Sequence, residues 1–276
     1  MSEPPNETAT PSPATEFLIT KEHRRFAEFC DAVRRYRYIG VCFGPPGVGK
    51  TLSARQYTRW DLLGPVIDRR PYLMESPIVP EAALCRSAFV TAGVTATPKQ
   101  LTKQLDSLIL CFSWTVEEAL RPDEDLDDCS NWTELLIVDE ADRLTVQTLE
   151  QLRDFYDRKR VGGVILIGMP GLEKRLARYA QLYSRVGFVH QFRTLSSEEM
   201  LFILEHHWQR LGLTLTPDDF TDAEAIAAVI RITSGNFRLV QRLFSQIERV
   251  LQINELRTIT KEVVEAAREN LVIGPL

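Results

Sequence analysis

The 276-residue chain has few of the features that mark secreted, membrane-spanning or metal-binding proteins. Its five cysteines include no C-x-x-C spacing; they are Cys30, Cys42, Cys85, Cys111 and Cys129. An odd number of scattered cysteines argues against a disulfide framework or a zinc site and is typical of a reducing cytoplasm. The chain also has no apolar run near the roughly 18 residues that a membrane-spanning helix needs, so we expect no membrane association.

An excess of positive charge, which would favour nucleic acid as a partner, is also missing. Lys and Arg together number 33 against 38 Asp and Glu, which gives a formal net charge of −5. Binding of DNA would therefore need a local basic surface, for example one assembled by several subunits. Residues 1–16 lack a basic start and an apolar core, and their Pro, Ser, Thr and Glu content predicts a disordered tail rather than a secretory signal.

The pattern of apolar residues changes near residue 193. Before it, short apolar segments alternate with amphipathic helical patterns, which predicts a parallel five-stranded sheet covered by helices on both faces. From Thr194 onward only four helical patterns follow. We therefore predict an α/β core over residues 17–193 and a small helical subdomain over 194–276. Two further segments are predicted to be loops or insertions. The first, 62–87, is rich in Pro, and the second, 112–134, is strongly acidic from residue 117.

One glycine-rich stretch predicts a nucleotide site. Residues 44–51, GPPGVGKT, match the phosphate-binding pattern G-x-x-x-x-G-K-[ST] and lie between a predicted strand and a predicted helix. The glycines allow backbone N–H groups to converge on phosphate oxygens, and the helix N-terminus adds partial positive charge. Lys50 is expected to reach the outer phosphates, and the Thr51 hydroxyl is placed to ligate Mg²⁺. The predicted nucleotide contacts are Gly44, Pro45, Pro46, Gly47, Val48, Gly49, Lys50, Thr51 and Leu52. The alternative is a glycine-rich turn with a surface lysine.

Two adjacent carboxylates, Asp139 and Glu140, follow the apolar run Leu135–Val138. At the carboxyl end of a buried strand, Asp139 can hold a metal ion through water, and Glu140 can act as the general base for an attacking water. Two adjacent acids in a loop can also be ordinary solvated surface. Their position after a buried strand, in a chain with a phosphate loop, favours ATP hydrolysis.

Two arginines are candidates for stabilising charge on a transferred phosphoryl group. Arg185 precedes the fifth predicted strand, and Arg238 lies at the start of a helix within SGNFR. Such an arginine is supplied either by the same chain or by a neighbouring subunit. The alternative for each is a solvated surface charge.

The order of these motifs resembles that of AAA+ ATPases over roughly residues 20 to 270. The resemblance identifies Asp139 and Glu140 with the Walker B acids, and it identifies Arg238, in Gly235-Asn-Phe-Arg238, with the sensor-2 arginine of the lid. It implies that Arg185 is the finger that acts on the neighbouring subunit, with Arg178 and Arg175 as alternatives. ATP and Mg²⁺ are the cofactors that it implies.

The sequence departs from the AAA+ pattern at one position. The family usually has a polar sensor-1 residue at the end of the fourth strand, where this chain has Met169. A thioether cannot hold the attacking water as an amide or a hydroxyl can. Hydrolysis is then expected to be slow, unless another polar side chain such as Asn236 takes this role.

Within AAA+ proteins, the segment from Leu135 to Tyr179 resembles the transposition ATPases of the TniB, TnsC and MuB group and the related ExeA-type domains. The likeness lies in VDEADRL, one helix, and then LIGMPGLEKRLARY. It implies a bacterial cytoplasmic protein that forms ATP-bound filaments or rings on duplex DNA. It also implies a transposase partner that stimulates hydrolysis, with a target-selector protein as a further partner.

The segment after the second predicted strand resembles the DNA-facing segment of these relatives. It has four residues that could contact the DNA backbone: Thr95, Thr97, Lys99 and Lys103. For the two lysines, an ordinary solvated helix face is an equally good interpretation. The basic run 158–160 is a weaker option, because basic residues at a helix C-terminus also interact favourably with the helix dipole.

Two other functions remain open from the sequence. An ATP-dependent switch of the ExeA or STAND type would assemble on a protein partner without DNA. A replication loader of the Cdc6 type is less well supported, because no winged-helix pattern follows the lid helices, and we accordingly expect no sequence-specific reading of DNA.

Overall fold

The computed structural model describes residues 17–70, 77–95, 97–122, 124 and 128–271. The predicted disordered tail, residues 1–16, lies outside these ranges. So do parts of both predicted insertions and the last five residues of the chain. Within the described ranges, no helix is long and apolar enough to cross a membrane.

The core of the chain is a five-stranded, fully parallel sheet, as predicted. Its strands are β1 (Ile39–Phe43), β2 (Ser87–Thr91), β3 (Leu135–Asp139), β4 (Gly163–Gly168) and β5 (Val186–Gln191). They lie in the order β2-β3-β4-β1-β5. Every residue of β3 and β4 is buried, because the crossover helices of a parallel sheet cover both of its faces.

This strand order determines the position of the phosphate loop and the acid pair in the fold. The central strand β4 pairs with β3 on one side and with β1 on the other. The carboxyl ends of β1 and β3, which lead into the phosphate loop and the acid pair, therefore flank the end of β4 and Met169. Ligands of open α/β sheets bind outside the carboxyl ends of the strands, where the strand order reverses.

Helices surround the sheet and continue after it. Their bounds are α1 (Lys21–Tyr36), α2 (Lys50–Thr58), α3 (Trp60–Arg69), α4 (Pro98–Leu120), α5 (Val146–Asp157), α6 (Leu172–Leu176), α7 (Ala180–Tyr183), α8 (Ser197–Arg210), α9 (Phe220–Thr233), α10 (Phe237–Ile253) and α11 (Lys261–Glu269). The four helical patterns predicted after Thr194 correspond to α8–α11. A capping box begins α4, where Thr97 accepts a hydrogen bond from the backbone of Gln100 and Pro98 takes the first helical position.

The prediction of irregular structure over 62–87 was wrong at its start. Residues 62–69 belong to α3, although Gly64 and Pro65 are helix-breaking residues. Leu63 and Ile67 lie one turn apart and are buried in the core, and this burial outweighs the local preference for a turn.

The acidic insertion was also predicted to begin too early. Helix α4 continues to Leu120, because Val116 is fully buried. Glu117 is buried as well, and its carboxylate accepts a hydrogen bond from the Trp132 indole and pairs with Arg121 at 3.0 Å. A buried charge is tolerated here because it is paired and hydrogen-bonded.

The described residues have two hydrophobic cores. The first surrounds the sheet and contains buried residues from Phe26 to Phe192, whereas the second contains buried residues from Met200 to Ala267 and is made by α8–α11. We call this second unit the lid. The boundary predicted between residues 193 and 194 falls between the two cores.

Glu22, a buried residue of α1, joins the lid to the core. Its Oε1 accepts a hydrogen bond from the Arg193 backbone at 3.2 Å, and its own N–H donates to Glu199 Oε1 of α8 at 2.9 Å. Burial alone raises the pKa of Glu22, but hydrogen bonds from His190 and the Arg193 backbone outweigh it and leave the pKa below its ordinary value. An ion pair between Lys21 and Glu198 lies beside this contact.

We predict that His207 makes the lid sensitive to acid. The ring is buried and stacked on Phe244, with centroids 4.3 Å apart, and burial lowers its pKa to about 4. The unfolded chain then binds a proton near the ordinary His pKa of about 6.5, whereas the folded lid does not. Stability is therefore lost as pH falls from about 6.5 to about 4, by of order 3 kcal/mol.

Urea unfolding of His207→Phe between pH 7 and pH 4 measures this contribution. The variant is expected to lose less stability on acidification than the parent, because it has no proton to bind at this position. The control is His206→Phe, which replaces a partly exposed neighbour in the same helix. Equal acid sensitivity in the parent and His207→Phe would contradict the prediction.

Candidate nucleotide-binding site

The phosphate loop follows β1 and ends at the first residue of α2. Gly49 is the N-cap of this helix and has φ of 108°, a left-handed conformation that residues with a Cβ rarely adopt. At Gly47 a Cβ would lie 2.5 Å from Asn236 Oδ1 of the lid. Glycine is thus required in the loop both for its backbone conformation and for close approach of the lid.

Lys50 lies where a nucleotide phosphate would bind, and Thr51 lies where the metal ion of that nucleotide would bind. Lys50 Nζ donates to the carbonyl oxygens of Gly44 and Pro45 at 2.6 and 2.7 Å, and burial lowers the pKa of this ammonium. The Thr51 hydroxyl donates to Asp139 Oδ2 at 2.6 Å. This contact brings together the residues that the sequence analysis predicted from separate motifs.

The donor set fits Mg²⁺. A hydroxyl and a carboxylate are the hard oxygen ligands that this ion prefers, and it usually keeps waters and phosphate oxygens as its other ligands. No group of three or more His, Cys, Asp and Glu side chains within the described part of the chain could hold a metal without such help. Thr51 and Asp139 would therefore hold Mg²⁺ together with the nucleotide.

The acid pair occupies the carboxyl end of β3. Asp139 is buried as the last residue of the strand, and its Oδ1 accepts a hydrogen bond from the Glu140 N–H at 2.9 Å. Glu140 has φ of 54° and begins a tight turn over residues 141–143. Its carboxylate forms an ion pair with Arg143.

The lid contacts the phosphate loop directly. The Arg238 N–H donates to Gly47 O at 2.9 Å, and Asn236 Nδ2 donates to Pro46 O at the same distance. Asn236 Oδ1 also accepts from the Leu239 N–H and caps α10. The amide of Asn236 is therefore engaged by the loop and the helix, so it is not free to replace a polar sensor-1 side chain.

One cavity of about 270 Å³ lies between these groups. Residues 46–47 and 49–52 line it from the loop side, Asp139 and Glu140 from the sheet, and Arg238 from the lid. Met169 lies at its rim with 40% of its surface exposed, at the position predicted for sensor 1. Lys50, Thr51, the acid pair and Arg238 thus face a single space.

An apolar recess adjoins the loop on its other side, and the sequence analysis missed it. The recess has a volume of about 30 Å³ and is lined by Phe17, Leu18, Val48, Phe192 and Phe237 among others. These residues come from four separate segments, so no local pattern predicts that they meet. In this conformation the recess has room for only about one or two water molecules, so it is too small for a nucleobase.

The predicted finger residue, Arg185, lies away from this chain's own cavity. Its carbonyl accepts a hydrogen bond from Ile39 at the amino end of β1, the opposite edge of the sheet. Its guanidinium makes two hydrogen bonds to Asp157, at 2.6 and 2.7 Å, which hold the pKa of that carboxyl below its ordinary value. Arg185 therefore does not line this chain's own cavity.

The two alternative finger residues differ in their contacts. Arg175 donates to the carbonyls of Asp142 and Leu144, so it braces the turn after the acid pair. Arg178 is exposed and makes no side-chain hydrogen bond or ion pair within the described ranges. Of the three arginines, Arg178 is the one available without breaking an existing contact.

The predicted DNA contacts follow β2 at the same edge of the sheet as the cavity. Lys99 and Lys103 are exposed and lie one turn apart on α4, so they share a helix face. Thr95 is exposed in the preceding turn, whereas the Thr97 hydroxyl is engaged in the capping box. In the weaker option, 158–160, Arg158 pairs with Asp154 at 2.9 Å.

Comparison with solved structures shows the fold. The chain is similar to the RuvB Holliday junction branch migration motor of Thermotoga maritima, with a TM-score of 0.56 and 16% identity over 90% of this chain and 67% of that one. It is also similar to the ORC2 protein of Aeropyrum pernix in its ADPNP-ADP complexes, with a TM-score of 0.54 and 14% identity over 90% and 67% of the two chains.

Comparison of sequences shows the family. A Staphylococcus aureus protein described as a potential ATP-binding protein is 45% identical over 269 residues, which cover 94% of this chain and 97% of that protein. Residues 33–176 match the AAA domain family, and this range contains the phosphate loop, the acid pair and Met169. The chain therefore belongs to the AAA domain family.

Proposed function

We propose that the chain is an AAA+ ATPase that assembles on duplex DNA and regulates transposition by recruiting or activating a transposase. The observation that carries the ATPase part is the convergence of Lys50, Thr51, the acid pair and Arg238 on one cavity between core and lid. The name of the Staphylococcus aureus relative supports ATP as the nucleotide. The DNA and transposase parts rest on the sequence resemblance and on the basic face of α4.

The residues around the cavity can carry out hydrolysis. Lys50 would exchange two loop carbonyls for phosphate oxygens, and Mg²⁺, when bound, neutralises charge on the phosphates. Glu140 would accept the proton of the water that attacks the terminal phosphorus, as the bond from that phosphorus to the ADP oxygen breaks. Arg238 would stabilise the charge that develops on the transferred group. With Met169 at the sensor-1 position, the water has one polar contact fewer, so turnover is expected to be slow.

The contacts between the lid and the phosphate loop would couple nucleotide binding to the assembly of subunits. Because Asn236 and Arg238 hold Pro46 and Gly47 directly, a nucleotide that rearranges the phosphate loop would change the position of the lid. Binding of ATP would then favour one lid orientation, and with it one arrangement of neighbouring subunits. A neighbour's Arg185 or Arg178 would complete the site.

DNA binding would be non-specific and would depend on assembly. With a net charge of −5 and two exposed lysines on α4, each subunit offers few phosphate contacts. An oligomer multiplies such contacts along the duplex, and the affinity then falls steeply with salt. RuvB, which shares the fold, is itself a motor that acts on a DNA junction.

Replacement of Lys50 by Ala is expected to weaken binding of ATP at least about 100-fold, because the half-buried ammonium is lost from the phosphate site. Calorimetric titration with an ATP analogue measures the effect. Lys261→Ala, on the lid surface, is the matched control and should bind as the parent does. Normal ATP affinity or normal ATP-dependent assembly of Lys50→Ala would show that the loop does not bind the nucleotide.

Replacement of Glu140 by Gln is expected to preserve ATP affinity but to lower turnover about 100-fold or more, because the amide cannot accept the proton of the water. Phosphate release at saturating ATP and Mg²⁺ gives turnover, and light scattering follows the lifetime of assemblies, which should increase. Turnover equal to that of the parent would exclude Glu140 as the base.

The DNA assignment is tested by replacing Lys99 and Lys103 together by Ala. Nucleotide binding should persist, while affinity for random duplex DNA falls and the salt dependence decreases by about two phosphate contacts per subunit. Arg257→Ala with Lys261→Ala, two exposed basic residues of the lid, is the matched control. Negative-stain microscopy with a slowly hydrolysed ATP analogue should show filaments or rings of the parent only when DNA is present. Assemblies that form equally well without DNA would instead favour a switch that acts on a protein partner.

A further inference from the structure

The amino ends of the strands have a surface that the nucleotide site does not use. Tyr36 is the last residue of α1 and Tyr38 precedes β1, and these residues are 57% and 46% exposed. The five-residue strand β1, roughly 16 Å long, separates them from the phosphate loop at its carboxyl end. A ligand bound at this surface would therefore lie apart from the nucleotide.

The two tyrosines form an aromatic cluster with Phe188 of β5. The centroids of the Tyr36 and Phe188 rings lie 5.8 Å apart, and those of Tyr38 and Phe188 lie 6.0 Å apart. Tyr38 lies directly against Gly187, where a Cβ would overlap its ring. A glycine within a strand often marks such a close approach. The rings are thus held by the edge of the sheet although much of their surface is exposed.

Basic side chains surround this aromatic cluster. The Arg35 guanidinium lies 5.7 Å from the centre of the Tyr36 ring, within the range of a cation–π contact. Arg37 is exposed, and its carbonyl accepts a hydrogen bond from the Tyr156 hydroxyl of α5 at 2.6 Å. The exposed basic residues 159–160 follow α5. Four cations therefore border two exposed aromatic rings.

The acidic groups of this region do not neutralise these four cations. They are paired with other arginines: Asp31 and Glu134 with Arg34, Asp154 with Arg158, and Asp157 with Arg185. Within the part of the chain that the structure describes, four basic side chains make no ion pair or side-chain hydrogen bond: Arg35, Arg37, Lys159 and Arg160. In a chain with a net charge of −5, this surface has a local excess of positive charge.

We propose that this surface binds single-stranded nucleic acid. We call it the amino-end patch and define it as residues 35–38, Phe188 and residues 159–160. Unpaired bases would stack on Tyr36 and Tyr38, and the four cations would contact the phosphates that connect those bases. An acidic peptide would use the cations alone, whereas the exposed rings beside them favour a polymer with flat bases. The amino-end patch is separate from the proposed duplex surface on α4, so this inference goes beyond the proposed function.

Binding of fluorescent oligo-dT and oligo-U to the nucleotide-free chain, followed by anisotropy, tests the proposal. Without ATP, no assembly is expected to cover the amino-end patch. Tyr36→Ala is expected to weaken binding about fivefold or more, because a stacked base loses its platform. Tyr36→Phe, which keeps the ring, should bind as the parent does. The matched control is Phe202→Ala, which removes a ring of the lid with 49% exposure.

The phosphate contacts are measured separately by the salt dependence. Each phosphate contact with a single strand contributes about −0.7 to the slope of log affinity against log salt concentration. Arg35→Gln should therefore make the slope less steep by about 0.7. Lys99→Ala with Lys103→Ala should leave this slope unchanged, because those lysines belong to the other surface. Thermal unfolding of each variant shows whether a changed affinity reflects a changed fold.

The outcomes separate this proposal from its alternatives. Binding of either polymer, weakened in Tyr36→Ala and kept in Tyr36→Phe and Phe202→Ala, upholds the proposal and identifies the polymer. Binding of neither polymer overturns it, and binding of polyglutamate instead would assign the amino-end patch to an acidic protein partner. Affinity that is unchanged in Tyr36→Ala, or that falls in the α4 double variant instead, also overturns it. Loss of ATP-dependent assembly on duplex DNA would contradict the proposed function and would not affect this result.

Discussion

The hydrogen bond between the Thr51 hydroxyl and Asp139 is the contact on which the site depends, because it joins residues 88 positions apart in the sequence. It exists because β1 and β3 both pair with β4, so that their carboxyl ends lie on either side of one strand. Parallel strands reach this arrangement only through crossover connections, and the helices of those connections bury both faces of the sheet. The fully buried strands β3 and β4 therefore also fix the distance between phosphate loop and acid pair.

The lid adds a second constraint, since it touches the site through backbone groups rather than through side chains alone. Arg238 contributes its N–H to the loop, and Asn236 caps α10 while it holds Pro46. Where the lid meets the core, Glu22 connects α1 to α8 through Glu199. A change in the position of the loop is therefore expected to change the position of the lid, which suits the proposed control of assembly by nucleotide.

The sheet and the site residues could be predicted from the sequence because each depends on a local signal: an apolar run, a glycine pattern or an acid pair. Helix α3 could not, because Gly64 and Pro65 indicate a turn and only the burial of Leu63 and Ile67 in the folded core outweighs them. The apolar recess was missed for a related reason. Phe17 and Phe237 line the same recess only because the lid packs against the core.

The contacts of Lys50 have a consequence for how tightly a nucleotide can bind. Since the ammonium already bridges Gly44 and Pro45, the loop is preorganised around a positive charge before any phosphate arrives. A phosphate then has to compete with two carbonyl oxygens, but little conformational entropy is lost in ordering the loop. The strength of those two carbonyl contacts is therefore one of the factors that set the affinity for a nucleotide.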